Sequence, residues 1–373
     1  MRWLAAVFLL GMSALASPAS AAEPAWVWNL PADVPPPVVP DDNAMSEARF
    51  QLGRRLFYDV RLSGGGNLSC ASCHLQHLAF TDGKVLGIGT TGEATARNPQ
   101  GLANVAWAPT LTWANPALVT LERQMEVPLF GEHPVEMGIN DANRPEILER
   151  IKADPLYQAG FADAYPGEPL GFATIIKAIA SFQRAITSFN SRYDQYLRGE
   201  AELSAAEERG LTLFFGEKAE CFHCHGSFNF NDQIRHVRSR VVDLPFHNTG
   251  QFNVDGKGAY PLGNEGLFEH TGKQADHGAF RAPSLRNVEV TGPYMHDGGV
   301  ASLEQVLDNY AAGGRVTQSG PDAGDGRLNP HKSDLIAAID LTPAERADII
   351  AFLKTLTDRE LLTNPRFADP FAR

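Results

Sequence analysis

The sequence predicts a mainly α-helical fold in two similar halves, with long Gly/Pro-rich loops. Three observations carry that expectation. Apolar residues recur at helical spacing in several stretches, while alternating β-branched runs are scarce. The pentapeptide Cys-x-x-Cys-His occurs twice, as Cys70-Ala-Ser-Cys73-His74 and Cys221-Phe-His-Cys224-His225, and takes up all four cysteines. Each copy follows a helix-like stretch, Ala48 to Phe57 and Ala206 to Phe215, so the organisation repeats.

In chain order, residues 1–22 carry one positive charge at Arg2, an apolar run from Trp3 to Gly11 and a small-residue stretch Ala19-Ser-Ala-Ala22, the pattern of a cleaved signal peptide. The run is too short to remain as a membrane span, and no cysteine stands at the cleavage site to take a lipid. Residues 23–44 form an extended leader, because Leu30-Pro-Ala-Asp-Val-Pro-Pro-Pro-Val-Val-Pro40 cannot be helical. Residues 45–200 form a first domain closed by a helical stretch from Phe172 to Leu197, with Ile176, Ile179, Phe182, Ile186 and Phe189 on one face. Residues 201–373 form a second domain. Its last helix starts at Thr342-Pro343-Ala-Glu345, with Thr342 as N-cap, Pro343 in the first turn and Glu345 completing a capping box.

The pentapeptides point to two covalent c-type haems. Two thiols three residues apart add across the haem vinyl groups, and the adjacent histidine binds iron from below the ring. A single four-thiolate zinc site is the main alternative, but the pairs lie about 150 residues apart where such sites use roughly 15–20. Each half is therefore expected to be a cytochrome c-like domain. Removing Arg2 with the signal peptide moves the net charge from -12 to -13. That acidity argues against nucleic acid or an anionic membrane as partner.

Beyond the haem motifs, Arg281-Ala-Pro-Ser-Leu-Arg-Asn-Val and Thr291-Gly-Pro-Tyr-Met-His-Asp-Gly, with Arg97-Asn98 and Pro134-Val-Glu136-Met137, resemble the bacterial di-haem cytochrome c peroxidase and MauG superfamily. The resemblance spans residues 45–360 and implies specific roles. Tyr310, at the end of Ser302 to Tyr310, matches the MauG pattern in which tyrosine is the sixth ligand of the second haem, where peroxidases have methionine; Met295 is the competing ligand. A phenolate oxygen lowers the iron potential and a thioether raises it. The peroxidases carry a histidine ligand in the loop before Arg-Asn, and here Gly87 to Arg97 has none, which leaves His74 alone on the first iron and an open face for peroxide. His77 is the nearest other histidine.

By the same resemblance, Glu136 moves the proton between the peroxide oxygens, and Gln124 and Pro128 shape that pocket. Trp113 bridges the two irons, with Trp107 as its rival. Asn98 through its side chain, and Thr291 and Pro293 through carbonyls, bind calcium, a set of oxygen donors that suits this ion. MauG's surface tryptophan before the second motif is Ala219 here, and the Trp113-Ala-Asn-Pro and Val127 to Met137 segments look closer to the MbnH-like branch.

The function expected is that of a periplasmic di-haem enzyme. It uses hydrogen peroxide to form a high-valent two-haem state and oxidises an aromatic residue, a tryptophan by resemblance, of a partner such as a small copper-binding protein. The alternative within enzymes is a di-haem cytochrome c peroxidase fed by a small cytochrome or cupredoxin. The alternative outside enzymes is an electron carrier with two six-coordinate haems.

Overall fold

A computed structural model describes residues 25–372; the expected signal peptide at 1–22 lies outside them. The helices, in order, are α1 (Glu47–Tyr58), α2 (Leu121–Phe130), α3 (Arg144–Lys152), α4 (Pro155–Ala164), α5 (Phe172–Ala185), α6 (Arg192–Leu197), α7 (Ala205–Phe214), α8 (Phe222–His225), α9 (Phe268–Thr271), α10 (Leu303–Ala311) and α11 (Pro343–Lys354). Strand among the described residues is confined to two antiparallel pairs of two residues each. These are β1 (His247–Asn248) with β2 (Ala279–Phe280), and β3 (Val316–Thr317) with β4 (Gly324–Asp325). The protein is mostly helical, as the periodicity predicts.

The helix starts follow from their caps. Ser46 opens α1 by accepting from the Arg49 N–H, and Ser302 opens α10 by accepting from that of Gln305. Ser204 with Glu207 closes a capping box on α7, and Thr342 with Glu345 does the same on α11, each box satisfying N–H groups that the first turn leaves without partners.

Two helix pairs organise the interior, and they are built alike. Helix α1 crosses α5 at Gly53, where an added Cβ would stand 1.9 Å from the Ala178 carbonyl oxygen and 3.0 Å from Phe182 Cβ. Helix α7 crosses α11 at Gly210, where an added Cβ would stand 1.9 Å from the Asp348 carbonyl oxygen and 2.9 Å from Phe352 Cβ. Only glycine lets these backbones touch. Phe182 and Phe352 are fully buried beside these crossings, each in its own apolar cluster.

Three details differ from the sequence expectation. The helix expected from Phe172 to Leu197 is broken after Ala185, because the Ile186 carbonyl accepts from Asn104 N–H (2.9 Å) and the Ser188 N–H donates to Asn104 Oδ1 (2.8 Å). Ser191 then caps α6 with Asp194. The leader does not lie wholly on the surface: Val34 is buried against Trp107 and Phe189. Leu361 and Phe367, far along the chain, pack into the same cluster as α1 and α5, so the chain end ties back onto the first half.

Candidate haem and peroxide site

The two pentapeptides fold into similar hydrogen-bonded turns. The His74 N–H donates to the Cys70 carbonyl at 3.0 Å, and the His225 N–H to that of Cys221 at 3.0 Å. The ring of His74 then meets the Phe80 carbonyl through Nδ1 at 2.7 Å, and that of His225 meets the Phe230 carbonyl at 2.8 Å. A carbonyl only accepts, so each Nδ1 carries the proton and each Nε2 keeps its lone pair free, the tautomer that a metal-ligating histidine needs. Both acceptors belong to fully buried phenylalanines with positive φ, 66° at Phe80 and 53° at Phe230. Burial pushes both imidazoles down, so they are neutral and ready to bind.

The sulfurs fit the same group. Burial pushes the Cys70 and Cys221 thiols up to about 12, surroundings that suit a neutral thioether and oppose a zinc-bound thiolate.

Beside the second turn opens a cavity lined by Cys221, Cys224, His225, Tyr310, Met295 and Trp113. Tyr310 comes from the last turn of α10, and its hydroxyl bonds to no described residue. Burial, with the two cysteines close by, raises its phenol above the ordinary range. Met295 shares the wall, so both sequence candidates for the sixth ligand are present. Trp113 Nε1 donates to the Asn98 carbonyl at 2.8 Å, which ties the indole to the Arg97-Asn98 loop. Trp107 is absent from the cavity wall; it is fully buried, and its Nε1 donates to the Pro35 carbonyl at 2.9 Å.

Asn98, Thr291 and Pro293 line this cavity together. The Asn98 amide nitrogen is held by the Lys84 carbonyl at 2.8 Å and that of Val85 at 3.2 Å, which directs Oδ1 elsewhere. No described residue donates to Asn98 Oδ1 or to the Thr291 and Pro293 carbonyls. Three oxygens without donors fit a hard cation such as calcium.

The first turn is faced by Glu136. Its segment is pinned on both sides: the Thr90 N–H donates to the Glu136 carbonyl at 2.7 Å, and the Met137 N–H to the Pro128 carbonyl at 2.9 Å. The histidine-free loop lies directly against it, since a Cβ at Gly89 would stand 1.8 Å from the Val135 carbonyl oxygen. Gln124 and Pro128 lie one turn apart on α2. Burial pushes the Glu136 carboxyl up, no described donor offsets this, and its charge reaches both Cys70 and Cys73. His77 is exposed on the short turn Gln76–Leu78.

One further cavity residue, Arg281, stands at the head of the Arg-x-Pro motif and has no role in the sequence expectation. The Arg281 guanidinium faces the second cavity, bonded to the Thr112 carbonyl at 3.2 Å and to Gln100, and burial pushes it down to about 10. A half-buried cation facing the cavity suits a haem propionate. Nothing in a lone Arg-x-Pro predicts that burial.

Two such turns, each with an oriented histidine, have the form that covalent haem attachment requires. The family model for di-haem cytochrome c peroxidase matches residues 47–202. The chain is 33% identical to methylamine utilization protein MauG of Methylorubrum extorquens, over 85% of this chain and 80% of that protein. It is 34% identical to cytochrome-c peroxidase IdrP1 of Denitromonas iodatirespirans, over 88% and 86%. Among solved structures it superposes on a MauG-like protein associated with microbial copper homeostasis, with a TM-score of 0.92 and 61% identity, covering 93% of this chain and all of the other. The chain belongs to the di-haem cytochrome c peroxidase and MauG family, and it is an oxidoreductase whose family implies two c-type haems.

Proposed function

We propose that the protein is a periplasmic MauG-type enzyme that uses hydrogen peroxide to oxidise a tryptophan of a partner protein, and that this partner is a small copper-binding protein. The observation that carries the reading is Tyr310, held in the second haem cavity with a hydroxyl bonded to no described residue. The high identity to a MauG-like protein associated with copper homeostasis supports the choice of partner.

In this reading residues 45–200 and 201–373 each hold one haem, through Cys70, Cys73 and His74 and through Cys221, Cys224 and His225. The haems supply the redox chemistry when bound. The chain supplies the rest. Glu136, protonated more readily than an ordinary carboxyl because it is buried, takes the proton from the near peroxide oxygen and returns it to the far one. Gln124 and Pro128 border that space. Tyr310 would be the oxygen ligand of the second haem, a donor that favours the oxidised metal, and Trp113 would be the path by which the two sites share charge. Asn98, Thr291 and Pro293 would hold calcium beside this path.

A second reading has its own support: Met295 also lines the cavity, and cytochrome c peroxidases are among the relatives. The two separate in one experiment. Stoichiometric peroxide is added to the fully ferric protein without reductant, and the optical and electron paramagnetic resonance spectra are followed. Loss of both ferric signals together is expected for the Tyr310-ligated enzyme. A protein that reacts only after one haem is pre-reduced is a conventional peroxidase, and the assignment of Tyr310 fails.

A further inference from the structure

Of the five tryptophans only Trp113 has a part in the chemistry above, yet three others stand in one line. Trp26 and Trp28 meet edge to face at 5.8 Å between ring centroids, and Trp28 meets Trp107 in the same manner at 6.3 Å. Trp107 continues inward to Phe228 at 6.1 Å, three residues beyond the haem ligand His225. Val105 and Ala108, on either side of Trp107, line the second haem cavity. Trp107 is therefore one residue layer behind that cavity, and Trp28, next in line, is half-exposed, as is Trp26 beyond it.

We infer that Trp107 and Trp28 carry oxidising equivalents from the second haem cavity to the surface, and that Trp28 is itself oxidised when no partner consumes them. The inference rests on the reading that peroxide loads the haem pair with two equivalents.

The electrostatics decide where the line ends. Trp107 is fully buried and its Nε1 proton points at a peptide carbonyl, which cannot take it, so a positive charge there moves on. Trp26 is a poor terminus for two reasons. The Arg366 guanidinium lies over its ring at 5.5 Å, an attraction that becomes repulsion once the ring is positive, and its Nε1 is buried without an acceptor. Trp28 has neither obstacle and can give its proton to water. The balance closes: Trp28 and one water yield hydroxytryptophan, two protons and two electrons. The electrons travel inward and, with two protons, replace those that broke the O–O bond of one hydrogen peroxide to two waters. The sum is Trp28 plus peroxide giving hydroxy-Trp28 plus water.

The test treats the holoprotein with peroxide in the absence of any partner, records the ferric signals and maps the mass of the peptide carrying Trp26 and Trp28. The gain of one oxygen is expected at Trp28 and not at Trp26. Trp107→Phe lowers that yield by about tenfold or more, because phenylalanine is the harder ring to oxidise. Since that change alters a buried ring, Trp28→Phe is run beside it; it is expected to keep full haem content and to prolong the peroxide-oxidised state about tenfold. Loss of the ferric signals with Trp28 unmodified overturns the relay alone, and so does equal modification of Trp28 in Trp107→Phe, which marks direct surface attack. Ferric signals that persist overturn the peroxide reading and the relay with it.

Discussion

The role proposed for Glu136 depends on the surroundings of its side chain. Burial alone raises its carboxyl, which makes the carboxylate a stronger acceptor for a proton than an ordinary glutamate. Glu136→Gln keeps the size and removes the titration. The variant is expected to retain both haems and to react with peroxide about 100-fold more slowly, measured by stopped-flow mixing. Asp59 shows the opposite balance. Burial acts to raise its carboxyl, but the bond from Arg61 at 2.7 Å and the Tyr157 hydroxyl at 2.7 Å outweigh it and hold the group below its ordinary 3.8. A depressed carboxylate stabilises the fold above the unfolded value, and that contribution is lost as pH falls through the folded one. The urea midpoint should therefore drop below about pH 4, and Asp59→Asn should flatten that part of the profile.

At the scale of elements, the two glycine crossings explain why α1 with α5 and α7 with α11 sit so close. Gly210→Ala puts a methyl against the Asp348 carbonyl with no room to yield, and should destabilise the protein by about 1–3 kcal/mol, read from the thermal transition. Thr342→Ala removes the cap of α11 and should cost about 1 kcal/mol by the same measurement. The existence of these helices was legible from apolar spacing and cap residues. The break after Ala185 was not, because it depends on Asn104, some 80 residues earlier, competing for the backbone of Ile186 and Ser188. The equivalence of Gly53 and Gly210 was equally hidden, since a glycine inside a helical stretch says nothing of what crosses it.

For the whole molecule, Asn98 of the first half lines one cavity with Thr291 and Pro293 from the loop before α10. If calcium holds them together, chelation should perturb the spectrum of the second haem and slow the peroxide reaction, and readdition should restore both; an unchanged spectrum after verified metal removal rules out that site. Among the described residues no helix is long and apolar enough to cross a membrane. The C-terminal tail and the leader both pack onto the first half, a tie between chain ends that no local pattern announces.

The sequence by itself determined the chemistry that is covalent and local. Two Cys-x-x-Cys-His pentapeptides point to haem attachment and one ligand each within five residues, and capping boxes specify where helices begin within four. The tertiary structure alone decided everything that depends on which distant groups meet. It selected the tautomers of His74 and His225 through the Phe80 and Phe230 carbonyls, brought Tyr310 and Met295 to one cavity, put Trp113 on its wall with Trp107 behind it, and turned Arg281 toward it. The division has a simple physical cause. Bond-forming spacing is written along the chain, whereas burial, hydrogen-bond partners and the shifts in proton affinity that follow from them exist only once the chain has closed on itself.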